Sequence, residues 1–329
     1  MIEHITGADL PRRMERHKVP AVSIAATADG QSIETAVFGA INDQTMFQAA
    51  SISKPVFAVA VMRLHEQGRI DIGAPVAELS YHWKKYGVTL AQLLSHTAGT
   101  NVHGFSGYDG YGAGKPLPTV AQILSGSPPT NSPKVKLKRK PGTRFDYSGG
   151  GYILAQQVVT DALGVDFHAL LRDLVLEPFG MCNSTFEQEL PLDVNYAPGY
   201  TALGQIKGNY MRMPELSAAG LWTTPSDLVC LGLELQRALR GESNLLRKDT
   251  LEMMLTRQPE KKPGKERYGL GLGLFSDDIF GHSGGNVGYR SCWRVSRRSG
   301  AAAAFMINTD GPGASAIFDE LVPEINKLL

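Results

Sequence analysis

Two short segments carry residues whose types and spacing could do acyl-transfer chemistry, and they imply different folds. The first is Ser51-Ile52-Ser53-Lys54, an S-x-x-K pattern. On a helix this spacing puts both side chains on one face, one turn apart, so that Lys54 can reach the Ser51 hydroxyl. A serine hydroxyl is a weak nucleophile until a neighbouring base takes its proton. A serine at a helix start also lies near unpaired backbone N–H groups and the positive end of the helix dipole, which favour the anion formed in acyl transfer. The second segment, Gly281-His282-Ser283-Gly284-Gly285, matches G-x-S-x-G, the nucleophile elbow of α/β-hydrolases. That elbow needs a histidine later in the chain, and none follows His282. An elbow also joins a strand to a helix, whereas residues 288–295 read as strand. Ser51 is therefore the candidate nucleophile and Lys54 its candidate base.

The element that must hold this pair supports the assignment. Residues 56–64 are apolar at every position but Arg63 and read as a helix buried nearly all round, stopping at Gly68. Such a helix takes Lys54 out of water, and a desolvated amine favours the neutral, proton-accepting form. Pro55 fits the first helical turn, where its missing N–H has no intrahelical partner to lose.

Upstream, residues 21–27 and 32–39 read as a β-hairpin turning at Asp29-Gly30. Between 71 and 216, amphipathic pieces at 89–95, 119–124 and 151–163 alternate with long Gly- and Pro-rich connections. The stretch 104–114, with five glycines and three aromatic residues, suits a mobile loop able to close over a cleft; 196–213 is a second candidate wall. Helices at 225–239 and 249–255 are followed by β-type runs at 268–275, 289–295 and 301–307, and a helix at 316–328 ends the chain. Strands at both ends around a helical middle predict an α/β (α+β) sheet domain from residues 1–75 and 217–329, with a mostly helical domain, 76–216, inserted in it.

The bulk composition bounds what such a site would act on. A chain of 329 residues with 43% hydrophobic and 20% charged residues can bury one large core or two smaller ones. A formal net charge of +1 gives no long-range field for nucleic acid or an anionic membrane, so a small-molecule substrate is expected. The basic run 134–140 reads as a solvated turn. Residues 1–20 hold no apolar stretch of signal-peptide or membrane-span length, and a cytoplasmic protein is expected. Cys182, Cys230 and Cys292 are odd in number and widely spaced, which reads as buried thiols and not as a disulfide framework. The eight histidines are dispersed, with no H-E-x-x-H or C-x-x-C, so neither metal nor cofactor is expected. Oligomeric state is left open.

The segment Phe47-Gln48-Ala49-Ala50-Ser51-Ile52-Ser53-Lys54-Pro55 resembles the active-site segment of the serine β-lactamase and DD-peptidase superfamily, on its class C side. Four further blocks agree in order and spacing. Leu93-Leu94-Ser95-His96-Thr97-Ala98-Gly99 is similar to the L-L-S-H-T-S-G segment, which is structural in the family. Phe145-Asp146-Tyr147-Ser148-Gly149 is similar to the Y-x-N block. Residues 219–228 are similar to the A-G-G-L-x-S-T-x-x-D-L stretch, and His282-Ser283-Gly284 to the K-T-G block. The resemblance implies a mainly antiparallel sheet flanked by helices, with the catalytic cleft between it and the helical domain. It implies that Ser51 attacks a carbonyl, that Lys54 and Tyr147 share the proton transfers, and that backbone N–H groups of Ser51 and Gly285 hold the oxyanion. His282, Ser283 and Gly284 would contact the substrate from the edge strand.

Two positions depart from that pattern. The asparagine of Y-x-N is Gly149, which removes a side-chain amide, and the lysine of K-T-G is His282, a weaker anchor for a substrate carboxylate. Both weaken antibiotic recognition while leaving the nucleophile and its bases in place. The resulting expectation is a carboxylesterase, or acyltransferase, on small esters. The alternatives are a DD-peptidase, D-amino-acid amidase or weak β-lactamase, and a non-catalytic binding protein.

Overall fold

In the computed structural model, residues 1–7, 9–76, 87–191, 193–258 and 267–329 are described. Residues 8, 77–86, 192 and 259–266 lie outside that set.

The chain opens with two helices, α1 (Ile2–Thr6) and α2 (Leu10–His17), which the sequence pattern leaves unassigned. Leu10 and Met14, one turn apart, are the buried seam of α2. The hairpin follows as β1 (Val22–Thr27) and β2 (Glu34–Phe38), and the Asp29 carboxylate accepts a hydrogen bond from the Gln31 N–H at 2.9 Å in the turn. A short strand β3 (Phe47–Gln48) leads through a single 3-10 turn, Ala50–Ile52, into α3 (Ser53–Glu66). The helical middle holds α4 (Leu90–Leu94), α5 (Val120–Ser125), α6 (Gly149–Leu163) and α7 (Phe167–Leu171). Thr89 and Thr119 start α4 and α5 with capping boxes to Gln92 and Gln122, which satisfy backbone donors that a helix start otherwise exposes. A small hairpin, β4 (Tyr200–Thr201) and β5 (Gly204–Gln205), precedes α8 (Leu216–Ala219), β6 (Trp222–Thr223), α9 (Pro225–Arg240) and α10 (Lys248–Met254). The chain returns to sheet as β7 (Gly273–Leu274), β8 (Ile279–Asn286), β9 (Tyr289–Ser296) and β10 (Ala302–Ile307), and ends with α11 (Pro312–Leu328).

The main sheet has six strands in the order β2-β1-β10-β9-β8-β7, every pair antiparallel. Its strands come from both ends of the chain, as the pattern of β-type runs predicts. Side chains alternate between two cores because strand residues point to opposite faces in turn. Val22, Ile24 and Ala26 of β1 and Ala303, Phe305 and Ile307 of β10 pack with α1, α2 and α11. Ala25, Ala302, Ala304 and Met306 face the larger core, which contains α3, α6 and α9. With helices on both faces, β1 and β10 are buried throughout.

The β-type run at 268–275 is a strand only at Gly273–Leu274; before that the chain turns through Gly271 (φ +82°) to pass close to α3. The strand β8 is interrupted in sequence by three glycines, and no local pattern marks it as one element. Of the cysteines only Cys292 is buried, whereas Cys230 is half-buried and Cys182 exposed, which corrects the expectation of three buried thiols. Lys134, Lys136, Lys138 and Lys140 are exposed, as a solvated turn requires. No helix among the described residues is long and apolar enough to cross a membrane.

A methyl group added at Gly271 would lie 2.2 Å from the Ala58 Cβ on α3. Replacing it by alanine is expected to lower the unfolding free energy by about 2–4 kcal/mol, through overpacking and an unfavourable positive φ. Urea denaturation of Gly271→Ala measures this, and an unchanged midpoint would show that the turn does not rest on α3.

Candidate active site

Four stretches of chain meet around Ser51. The nucleophile candidate sits in the 3-10 turn, and Ala50 before it has a left-handed backbone (φ +51°), a conformation that costs a non-glycine residue energy and needs to be held. Ser53 holds it: its Oγ donates to the Ala50 carbonyl at 2.6 Å and accepts from the Leu221 N–H at 2.9 Å. The Ala49 N–H donates to the Leu221 carbonyl at 2.8 Å, and the Ser291 hydroxyl on β9 donates to the Ala49 carbonyl at 2.8 Å. Residues 49–53 are thereby tied to the turn after α8 and to the sheet.

Lys54 follows on the first turn of α3 and is 2% exposed. Its Nζ lies 3.0 Å from the Ser51 Oγ and donates to the Ala218 carbonyl at 2.7 Å. The faces of Tyr147 and Tyr152 flank it, their ring centres 5.0 and 5.6 Å from Nζ. No carboxylate pairs with Lys54 among the described residues. An amine placed this way is within hydrogen-bond reach of the serine proton.

Tyr147 stands between Asp146 and Ser148 in the turn that leads into α6, half-buried. Its ring lies on the His96 imidazole at 4.2 Å between centres and faces His103 at 4.9 Å and His282 at 6.2 Å. No hydrogen bond joins its hydroxyl to Ser51 or Lys54; contact with Lys54 is through the ring face.

The edge strand β8 approaches this cluster from the other side. His282 pairs with Trp293 across the β8–β9 ladder and faces the larger core, where its Nε2 lies 3.1 Å from the Tyr268 hydroxyl. Its Nδ1 is 2.6 Å from the Ser283 carbonyl, so Nδ1 carries the proton and Nε2 accepts from Tyr268. Burial, and then the Lys54 ammonium, push the imidazole down to about 3, which keeps it neutral at ordinary pH. Gly284 is packed so tightly on the nucleophile turn that a Cβ would come 2.2 Å from the Ala49 carbonyl oxygen. Gly285 follows, exposed, at the end of the strand nearest the turn, and Asn286 donates to the Gln48 side chain at 2.8 Å and to the Ala219 carbonyl at 3.1 Å.

Ser283 is not brought together with these residues. It pairs with Cys292, which belongs to the core on the opposite face of the sheet, and its Oγ accepts from Arg294 Nη2 at 3.0 Å. Arg294, which sequence reasoning does not single out, is 4% exposed; its Nη1 donates to the His282 and Trp293 carbonyls, both at 2.9 Å, and its guanidinium lies 3.5 Å from the centre of the Phe275 ring. It braces β8 at the residue whose side chain enters the site. Glu215 also escapes sequence reasoning: fully buried beside α8, it is raised to about 7 by desolvation, and the Tyr108 hydroxyl donates to it at 3.4 Å. Neither carries a motif, and only burial marks them out.

The two segments named as candidate walls are joined to each other. Tyr108 and Arg212 exchange two backbone hydrogen bonds of 2.9 Å, and the Gln48 side chain donates to the Met211 carbonyl at 2.7 Å. Gly149, where the resemblance leads one to expect an amide side chain, has its side-chain space taken: a Cβ there would lie 2.8 Å from the Phe105 ring.

This fold and this constellation define the β-lactamase/DD-peptidase class, and the chain belongs to the β-lactamase family, whose model matches residues 8–322. Among curated proteins it is 27% identical over 165 residues to PbpX of Bacillus subtilis (strain 168), classed by name with the penicillin-binding proteins; the match covers 50% of this chain and 38% of that protein. The chain thus spans under half the length of the curated relatives it matches. Among solved structures it is similar to the D-amino acid amidase of Ochrobactrum anthropi (TM-score 0.79, 19% identity), with 99% of each chain covered. A D-stereospecific amidohydrolase of Streptomyces superposes with a TM-score of 0.74 at 22% identity, covering 95% of this chain and 96% of that one.

A histidine titrating near 6.5 when unfolded and near 3 when folded takes up its proton only in the unfolded state between those values. Its contribution to stability is present above pH 6.5 and is lost as pH falls towards 3. The thermal midpoint of the His282→Gln variant is therefore expected to drop less than that of the wild type between pH 7 and pH 4. Parallel melting curves for the two proteins over that range would contradict the neutral, buried assignment.

Proposed function

We propose that the protein is a serine hydrolase that forms an acyl-enzyme on Ser51 and acts on amides of D-amino acids or of short peptides containing them. The observation that carries the hydrolase reading is the buried Lys54 amine, 3.0 Å from the Ser51 hydroxyl and unpaired with any described carboxylate. Amide chemistry is supported by structural neighbours named for it, one of which matches over 99% of both chains. On this reading Ser51 Oγ attacks the carbonyl carbon as its proton passes to the amine of Lys54. The oxyanion is held by the N–H groups of Ser51 and Gly285. Expelling an amine requires that its nitrogen be protonated, and Lys54 and Tyr147 supply that proton. Water then gives a proton to Lys54 and attacks the ester carbonyl, the bond to Ser51 Oγ breaks, Oγ takes that proton and the carboxylic acid leaves.

Cleavage of small carboxylic esters is the second reading, favoured by two observations. Phe105 fills the place of an amide-holding side chain at Gly149, and His282 is neutral and occupied by Tyr268, leaving it a weak anchor for a carboxylate. An alkoxide leaves more easily than an amine and depends less on such anchors.

Intact mass after treatment with a fluorophosphonate tests the nucleophile: one adduct is expected on wild type and none on Ser51→Ala. Turnover of D- and L-phenylalanine amide, p-nitrophenyl butyrate and nitrocefin then separates the readings. Preference for the D-amide supports the proposal, ester turnover without amide turnover selects the second reading, and fast nitrocefin turnover assigns a β-lactamase. Lys54→Ala and Tyr147→Phe are expected to lose about 10²–10⁴-fold in kcat, while Ser283→Ala, on the far face of the sheet, stays within about tenfold of wild type. A wild type that takes no label and turns over nothing would leave a binding protein.

A further inference from the structure

His96 lies in the segment that the resemblance marks as structural, yet its contacts converge on one residue of the site. Its carbonyl accepts from the Asp146 N–H at 2.8 Å, and its Nδ1 accepts from the Ser148 N–H at 3.1 Å. These two bonds grip the backbone on either side of Tyr147. The Tyr147 ring itself lies on the imidazole, 4.2 Å between centres and tilted by 35°. A side chain held at both flanking amides and along its face has little freedom left to rotate away from Lys54.

Three features show that His96 is kept in this pose at a cost. Its backbone is left-handed, with φ +58° in a non-glycine residue. Since Nδ1 accepts, the proton sits on Nε2, and that N–H is buried with no hydrogen-bond partner among the described residues. The surrounding groups are rings: Phe145 edge-on at 5.6 Å, Tyr152 at 5.2 Å and Tyr268 at 4.9 Å. Apolar packing alone would be served better by leucine or phenylalanine, which leave no orphan donor. What the imidazole supplies and they lack is the acceptor for the Ser148 N–H.

We propose that His96 is a positioning residue for proton transfer, fixing Tyr147 against Lys54 through the Ser148 N–H and the face of its ring. The inference rests on the acyl-transfer reading above. Its signature is a dependence on the leaving group. p-Nitrophenolate departs without a proton, whereas an amine or an alkoxide needs one, so misplacing the proton donor slows only the second kind of substrate. A misplacement of about 1 Å costs on the order of 10²-fold.

The decisive pair is His96→Asn, whose Oδ1 stands near the place of Nδ1 and whose backbone tolerates positive φ, and His96→Gln, whose amide lies too far along the side chain to meet the Ser148 N–H. Each is assayed, after its melting curve shows it folded, on p-nitrophenyl butyrate and on the amide or alkyl ester that wild type hydrolyses. We expect His96→Gln to lose about 10²-fold in kcat on the amide or alkyl ester and under about tenfold on the p-nitrophenyl ester, with KM little changed and His96→Asn recovering most of the loss. His96→Gln added to Tyr147→Phe should cost little further, because both act on one proton transfer. Equal losses on both leaving groups, no advantage of asparagine over glutamine, or losses that multiply with Tyr147→Phe would each overturn the proposal; if His96→Gln is unfolded, His96→Leu takes its place, and if His96→Asn is unfolded, the contrast between leaving groups in His96→Gln and the double variant with Tyr147→Phe decide. Inertness of wild type on every substrate would instead remove the acyl-transfer reading itself.

Discussion

The arrangement depends on one amine being held dry beside one hydroxyl. Burying a lysine costs several kcal/mol unless its donors are satisfied, and here they are met by a serine oxygen, a backbone carbonyl and two ring faces, with no carboxylate beside it among the described residues. The apolar residues of α3, buried on every side, keep the amine out of water, and they require that the sheet, α6 and α9 close around the helix.

Holding the amine fixes where its neighbours go. Ala218, which accepts one of its protons, belongs to α8, so the turn after α8 is pulled onto the nucleophile turn and fastened there by Ser53 and by the Ala49–Leu221 pair. The left-handed Ala50 and the bare backbone of Gly284 are the compromises that let β8 and the nucleophile turn approach so closely. Strain and missing side chains gather where two backbones must meet around a reactive oxygen, as expected when the rest of the structure over-determines a site.

The same crowding shapes what could bind. Position 282 holds a buried histidine. The imidazole there is neutral, its Nδ1 proton donated to the Ser283 carbonyl and its Nε2 lone pair accepting from Tyr268, and the arginine that braces the strand points to the other face of the sheet. Phe105 closes the place where a side chain at 149 would sit. The surroundings of Ser51 are therefore richer in rings than in charge.

By itself the sequence determined the elements with strong periodicity and the chemistry with fixed local spacing. The apolar helix, the hairpin at Asp29-Gly30, the helices at 225–240 and at the chain end, and the three-residue step from Ser51 to Lys54 all follow from contacts within a turn or two. The sheet architecture was legible because β-type runs stood at both ends of the chain. Tertiary structure decided the rest: that Ser283 faces away while His282 faces in, that Cys182 is exposed, that Gly-rich residues 279–286 form a strand, and that His96, Glu215 and Arg294 are polar groups drawn into the interior. Side-chain direction on a strand is set by register with its partner, and burial by what arrives from elsewhere in the chain. Neither is written in any local pattern, so a histidine in a segment that reads as scaffold could be seen gripping a catalytic candidate only once residues 96 and 148 had been brought within 3.1 Å.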